Sequence, residues 1–235
     1  VLVNCRTSTP GLGEFAISLP SARIEAREIP THREMQAGTK VVVLGTGTPI
    51  PDAHRAGPSI AVKHKGNSYL FDAGAGAVRQ ATIARYLYDI PSLYPSQICC
   101  VFLSHLHSDH TLDLSELAHT LWWRRRNPLL VWGPLGISRI SSAITDMIAI
   151  DADFRINGLQ PVANSEGFKI QDTTIEPGIN LRRDDLQVEA FLANHGDISP
   201  AYGFKIVTDD ISIVISGDTA FSDLIAEKSK GVDLL

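Results

Sequence analysis

Apolar residues recur along this chain with two periods, and the switch between them marks out the elements. Val41-Val42-Val43-Leu44 is a short continuous run that predicts a strand. Ile60 to His64 and Ser68 to Phe71 flank Lys65-Gly66-Asn67 and predict a hairpin. A helix is expected from about Ala77 to Tyr88. The run Ile98 to Leu103 predicts a buried strand, and Leu114, Leu117, Ala118 and Leu121 follow it at helical spacing. Asn127-Pro128 closes that helix, and Leu129-Leu130-Val131-Trp132 opens another strand. Ile137, Ile140, Ile144, Met147 and Ile148 mark an amphipathic helix. Strands then dominate, over Phe168 to Gln171, Gln187 to Ala193, Tyr202 to Thr208 and Ile211 to Ser216, with Asp209-Asp210 at a hairpin turn. A last helix begins near Phe221, and Gly231 to Leu235 reads as a strand entering the core. Residues 1–39 show no sustained period and read as an N-terminal extension to a domain over residues 40–235. Interleaved helices and strands with frequent hairpins predict an α/β fold with a mixed, helix-covered sheet.

The chemistry concentrates in Ser104-His105-Leu106-His107-Ser108-Asp109-His110, at the end of the buried strand. Imidazole and carboxylate are ligands for zinc and related metals. His105 and His107 are two apart, so an extended backbone points both the same way, and Asp109 and His110 face elsewhere. Three further segments place a polar residue at a strand end: Phe71-Asp72-Ala73-Gly74, Asn194-His195-Gly196 and Ser216-Gly217-Asp218-Thr219.

In this order the segments resemble the motifs of the metallo-β-lactamase superfamily. Leu44-Gly45-Thr46-Gly47-Thr48-Pro49 with Ser104 to His110 is similar to its tRNase Z and arylsulfatase-like branch. The resemblance implies an αββα sandwich of two mixed sheets with outer helices. It implies that His105, His107 and His195 bind one metal, that Asp109 and His110 bind a second, and that Asp218 bridges the two. Asp109 is also the candidate catalytic carboxylate. Asp72 is expected to accept an N–H from a metal-bound imidazole or from the metal loop. Zn2+ is the expected cofactor, with Mn2+ or Fe2+ as substitutes. The imidazole at His107 fits a zinc hydrolase rather than the family's diiron redox branch, which typically carries a carboxylate there. Two metals would give hydroxide near neutral pH for attack on an ester-like bond. The family's last histidine ligand has no counterpart before Leu235, so a truncated chain with an incomplete second site is expected.

The family's tRNA-processing members usually carry a long arm between the third and fourth motifs. Here His195 and Asp218 are 218 − 195 = 23 positions apart, which leaves no space for one. The net charge of -5 gives no general attraction to nucleic acid or anionic membranes. The expected substrate is therefore a small molecule: an aryl sulfate, phosphodiester or lactone. The alternatives are tRNA 3′ processing and a non-catalytic binding module, with β-lactam hydrolysis behind them.

Composition changes this picture little. At 235 residues, 44% hydrophobic and 20% charged, the chain suits one large globular domain or two small ones. No apolar run approaches a membrane span. Cys5, Cys99 and Cys100 make no disulfide framework, and the adjacent pair reads as small apolar filling. Free thiols favour a reducing compartment such as the cytoplasm, while the start at Val1 leaves a secreted or periplasmic location open. Homo-oligomerisation also stays open. Trp122-Trp123-Arg124-Arg125-Arg126 reads as the solvated cationic end of a helix, against nucleic-acid binding as the rival. His119 reads as structural.

Overall fold

Alternation in the sequence resolves into two stacked sheets. A computed structural model describes residues 38–235, so the expected extension and Cys5 lie almost wholly or entirely outside the described residues. The first sheet holds six strands in sequence order: β1 (Lys40–Gly45), β2 (Ser59–His64), β3 (Asn67–Phe71), β4 (Cys100–Phe102), β5 (Leu129–Gly133) and β6 (Ile170–Thr174). The pairs β1–β2 and β2–β3 are antiparallel; β3–β4, β4–β5 and β5–β6 are parallel. The β2–β3 turn carries positive φ at Lys65 (41°) and Gly66 (83°), the twist that a two-residue hairpin needs.

The second sheet contains β7 (Gly178–Arg183), β8 (Leu186–Leu192), β9 (Tyr202–Val207) and β10 (Ser212–Ile215), in the order β10-β9-β8-β7. All its pairings are antiparallel, so only the first sheet is mixed. Between the sheets, Val62, Phe71 and Phe102 meet Val188, Phe204 and Ile206. Phe102 stacks between Phe71 (centroids 5.2 Å apart) and Trp132 (4.7 Å).

The opposite face of the first sheet is covered by α1 (Ala77–Tyr88), α3 (Asp113–His119) and α4 (Ile137–Met147). Val78 and Ala81 of α1, Leu114 and Leu117 of α3 and Ile137 of α4 pack there with Leu70 and Val101. The short α2 (Ser108–Thr111) precedes α3, and α5 (Ala149–Ile156) follows α4. Beyond the second sheet, α6 (Asp223–Lys228) reaches β8 through a Lys228–Glu189 ion pair of 2.5 Å. The layers are helix, sheet, sheet, helix. Among the described residues no helix is long and apolar enough to cross a membrane.

Several local expectations are revised. Leu121 lies outside α3 with φ 57°, because the helix already ends at His119 and Thr120 is extended. Residues near the last position do not form a buried strand: Leu234 makes one bridge to Ile213, and Leu234 and Leu235 are exposed. Cys99 and Cys100 are joined through their sulfurs, where the sequence suggested separate thiols. Arg125 is buried rather than solvated.

Candidate metal centre

Parallel strands β3 and β4 end side by side, which brings Asp72 against the loop that follows Phe102. Asp72 N–H donates to the Phe102 carbonyl at 2.8 Å, and Asp72 itself adopts a left-handed backbone with φ 61°. That turn aims its carboxylate inward. It accepts from Ser104 N (2.7 Å), from Ser104 Oγ (2.8 Å) and from His110 Nδ1 (2.8 Å). One buried carboxylate thus holds both ends of the His-rich segment. Ser104, which the sequence reading did not single out, also bonds His105 Nδ1 at 3.0 Å.

Close approach of the two loops depends on Gly74. A Cβ there would collide with the Asp109 carbonyl oxygen and with Gly57 backbone. The second sheet joins from the other side. Tyr202 N–H donates to the Ser104 carbonyl at 2.9 Å, so β9 is tied to the same loop. His195 follows β8, and Asp218 follows β10. Ala220 N–H donates to the Asn194 carbonyl at 2.7 Å, which links these two loops. Gly217, at φ 62°, sits where a side chain would press on the Tyr202 carbonyl.

Two ligand groups result. In the first, ring nitrogens of His105, His107 and His195 lie within 4.8 Å of one another. His107 Nδ1 is 2.9 Å from His105 Nε2 and 3.4 Å from His195 Nε2. The second contains His105, His110 and Asp218 within the same limit. Asp109 borders it: His110 Nε2 lies 3.6 Å from Asp109 Oδ2 and 3.5 Å from Asp218 Oδ2. His105, Asp109 and His110 are buried, while Asp218 is open to solvent.

The electrostatics favour a cation. Burial, then the neighbouring His110 charge, lowers His105 to about 4, so its ring is neutral and able to ligate at pH 7. Burial also pushes His110 down, but the hydrogen bond and charge of Asp72, with Asp218 and Asp109, outweigh it and the net shift is upward. His110 Nε2 is buried without a hydrogen-bond partner among the described residues. An orphaned imidazole nitrogen facing two carboxylates is what a metal position requires. The donor set therefore fits one or two divalent cations.

Other histidines are placed elsewhere. His119 Nε2 bonds the Ile144 carbonyl at 3.0 Å, a link between α3 and α4. His64 gathers with Asp209 and Asp210 at the hairpin turns, where Lys65 already pairs with Asp209 at 3.1 Å.

Layers and ligand groups of this kind define a candidate metal centre on a scaffold of two stacked sheets. The family model for the beta-lactamase superfamily domain matches residues 67–235, and the chain belongs to that family. A ribonuclease Z of Mycolicibacterium gilvum is 31% identical over 184 residues, 77% of this chain and 61% of that protein. The chain thus spans less than two thirds of that relative's length. The fold is similar to that of the metallo-beta-lactamase fold protein YhfI from Bacillus subtilis (TM-score 0.61, 18% identity, 84% of this chain and 70% of that one). It is also similar to human tRNase Z, short form (TM-score 0.55, 21% identity, 76% and 68%).

Proposed function

We propose that this chain carries the hydrolytic site of a metal-dependent phosphodiesterase that acts on RNA, in the manner of a tRNA 3′-processing endonuclease. The observation that carries the substrate class is the 31% identity to ribonuclease Z over 77% of the chain. It outweighs the argument for a small ester from the short His195–Asp218 interval, since that interval speaks only to one insertion.

His105, His107 and His195 would hold one cation, and His110, Asp109 and Asp218 a second, with His105 beside both groups. Imidazole and carboxylate donors suit zinc. When bound, such cations supply Lewis acidity toward a phosphoryl oxygen and toward water. The chain's own residues then orient and exchange protons. Asp72 fixes His110 through Nδ1 and leaves Nε2 facing the cluster. Ser104 fixes the His105 ring in the same way. Asp109, buried beside His110 Nε2, would be the carboxylate that accepts a proton from water.

A second reading keeps the same chemistry on a small phosphodiester, favoured by the interval of 218 − 195 = 23 positions. Both are tested by incubating the zinc-loaded protein with a precursor tRNA bearing a 3′ trailer and with bis(p-nitrophenyl) phosphate. Trailer release that is lost in His105→Ala supports the first reading. Hydrolysis of the small diester alone supports the second. A His105→Ala protein with full activity on either substrate removes the metal mechanism.

A further inference from the structure

The arginine run at Arg124–Arg126 lies far from the metal cluster. Strand β4 carries the ligand loop at its C-terminal end, and this run packs beside the opposite ends of β4 and its parallel neighbour β5, at Ile98 and Leu130. Ile98 and Ser104 are six positions apart, about 20 Å of extended chain. At the far end is a cavity of about 480 Å³. Arg124, Arg125, Arg126 and Arg183 line it, with the amides of Gln97 and Gln171. Among the described residues, no carboxylate lines it. Four arginines line one cavity in a chain whose net charge is -5, and Arg183 Nη1 lies 3.5 Å from both the Cys99 and Cys100 sulfurs.

Arg125 forms its inner wall and is only 2% exposed. Its Nη1 donates to the Ile98 carbonyl (2.9 Å), and Nη2 to the carbonyls of Pro95 (2.6 Å) and Leu117 (2.7 Å). These bonds satisfy donors but bring no net negative charge. Its Nε is buried without a partner, and among the described residues no carboxylate acts on it. Buried charges are ordinarily paired, because an isolated one costs several kcal/mol of lost hydration. Burial lowers this arginine only to about 10, so it stays protonated at neutral pH. Among the described residues no counter-charge faces it, and the cavity beside it is lined by three more arginines.

We propose that this cavity binds a small phosphorylated anion, at a site separate from the hydrolytic centre. Planar guanidinium forks match phosphate oxygens in pairs, and arginine is the residue suited to that geometry. A concave volume of this size admits a diphosphate group. Trp123, Arg124 and Arg126 also line the adjoining surface concavity, where a larger part of such a ligand would rest. This inference does not depend on the proposed hydrolase activity.

The test is calorimetric titration of the whole chain with inorganic diphosphate at low ionic strength. Wild type and His105→Ala should bind one diphosphate per chain with equal affinity, which separates this site from the metal cluster. Arg124→Gln combined with Arg126→Gln, and Arg183→Gln alone, should each weaken binding at least about tenfold, ~1.4 kcal/mol. Circular dichroism checks that each variant is folded, and the buried Arg125 is left intact. Absence of saturable binding overturns the proposal. So does binding that disappears in His105→Ala but survives in the arginine variants, since it would then belong to the metal cluster. Binding of a single-stranded oligonucleotide but not of diphosphate would overturn it in favour of an RNA-contact surface.

Discussion

Removing the charge at Asp72 tests the organisation of the metal centre at its root. The carboxylate accepts three hydrogen bonds of 2.7–2.8 Å, from Ser104 N, Ser104 Oγ and His110 Nδ1. Each hydrogen bond to a charged acceptor is worth about 1.5–3 kcal/mol. Asp72→Asn keeps the left-handed backbone at φ 61°, which asparagine tolerates well. Its amide oxygen can still accept from Ser104 N, and its NH2 can donate to Ser104 Oγ. That NH2 then opposes the N–H of His110. One charge-assisted bond is lost and another weakened, so the loss should be about 2–4 kcal/mol. Asp72→Ala should cost about 1–2 kcal/mol more, because alanine resists this backbone region. Asp72→Gly should recover that increment.

The assay is urea unfolding of the metal-free proteins, followed by tryptophan fluorescence. The pH dependence adds a second check. His110 is raised above its ordinary value near 6.5, so its contribution is complete below that value and is lost as pH rises through the raised one. The advantage of wild type over Asp72→Asn should therefore be larger near pH 6 than near pH 9. A loss under about 0.5 kcal/mol, or one that is identical at both pH values, would refute the reasoning.

Gly74→Ala should cost about 1–3 kcal/mol and weaken zinc binding about tenfold or more, measured by competition with a chromogenic chelator, because the new methyl group meets Asp109 backbone. Phe102→Ala should cost about 3–5 kcal/mol in calorimetric unfolding, since this fully buried ring stacks on both sides. In metal-free protein, His105 acts in the opposite sense to His110. Its value lies near 4, below the ordinary 6.5, so stability should fall as pH drops through that window, and His105→Phe should flatten the curve. Zinc at a hundred times its dissociation constant should stabilise wild type by about 2.7 kcal/mol, and His110→Ala should reduce the effect if its unpartnered nitrogen is a ligand.

Elements with a single unambiguous period were legible in the sequence. The helix Ala77–Tyr88 and the hairpin around Lys65-Gly66 stand where the pattern put them. β7 went unnoticed because Gly178 to Arg183 is half-exposed and mixes polar with apolar residues, as an edge strand does. β6 begins two residues later than expected, since the apolar Phe168 packs against Trp122 instead of joining the sheet. α5 was missed because Ile148 ends one helix and immediately precedes the next. The ligand-type residues could be named from their types and order. The role of Ser104 could not, because it depends on Asp72, thirty-two positions away. Arg125 misled for the same reason: its neighbours in sequence are solvated, and the three carbonyls that bury it come from other segments.

His105 belongs to the loop after β4 of the first sheet, whereas His195 follows β8 of the second. A cation held by both would be a clasp across the two halves of the sandwich, closing a loop of 195 − 105 = 90 residues. By chain-entropy reasoning, a permanent link over that span removes about 4–5 kcal/mol of freedom from the unfolded chain. The metal would then govern more than the reaction. A chelator would act on this protein much as a reductant acts on a secreted one, and a backbone nick between those histidines would be survivable only while the clasp is shut.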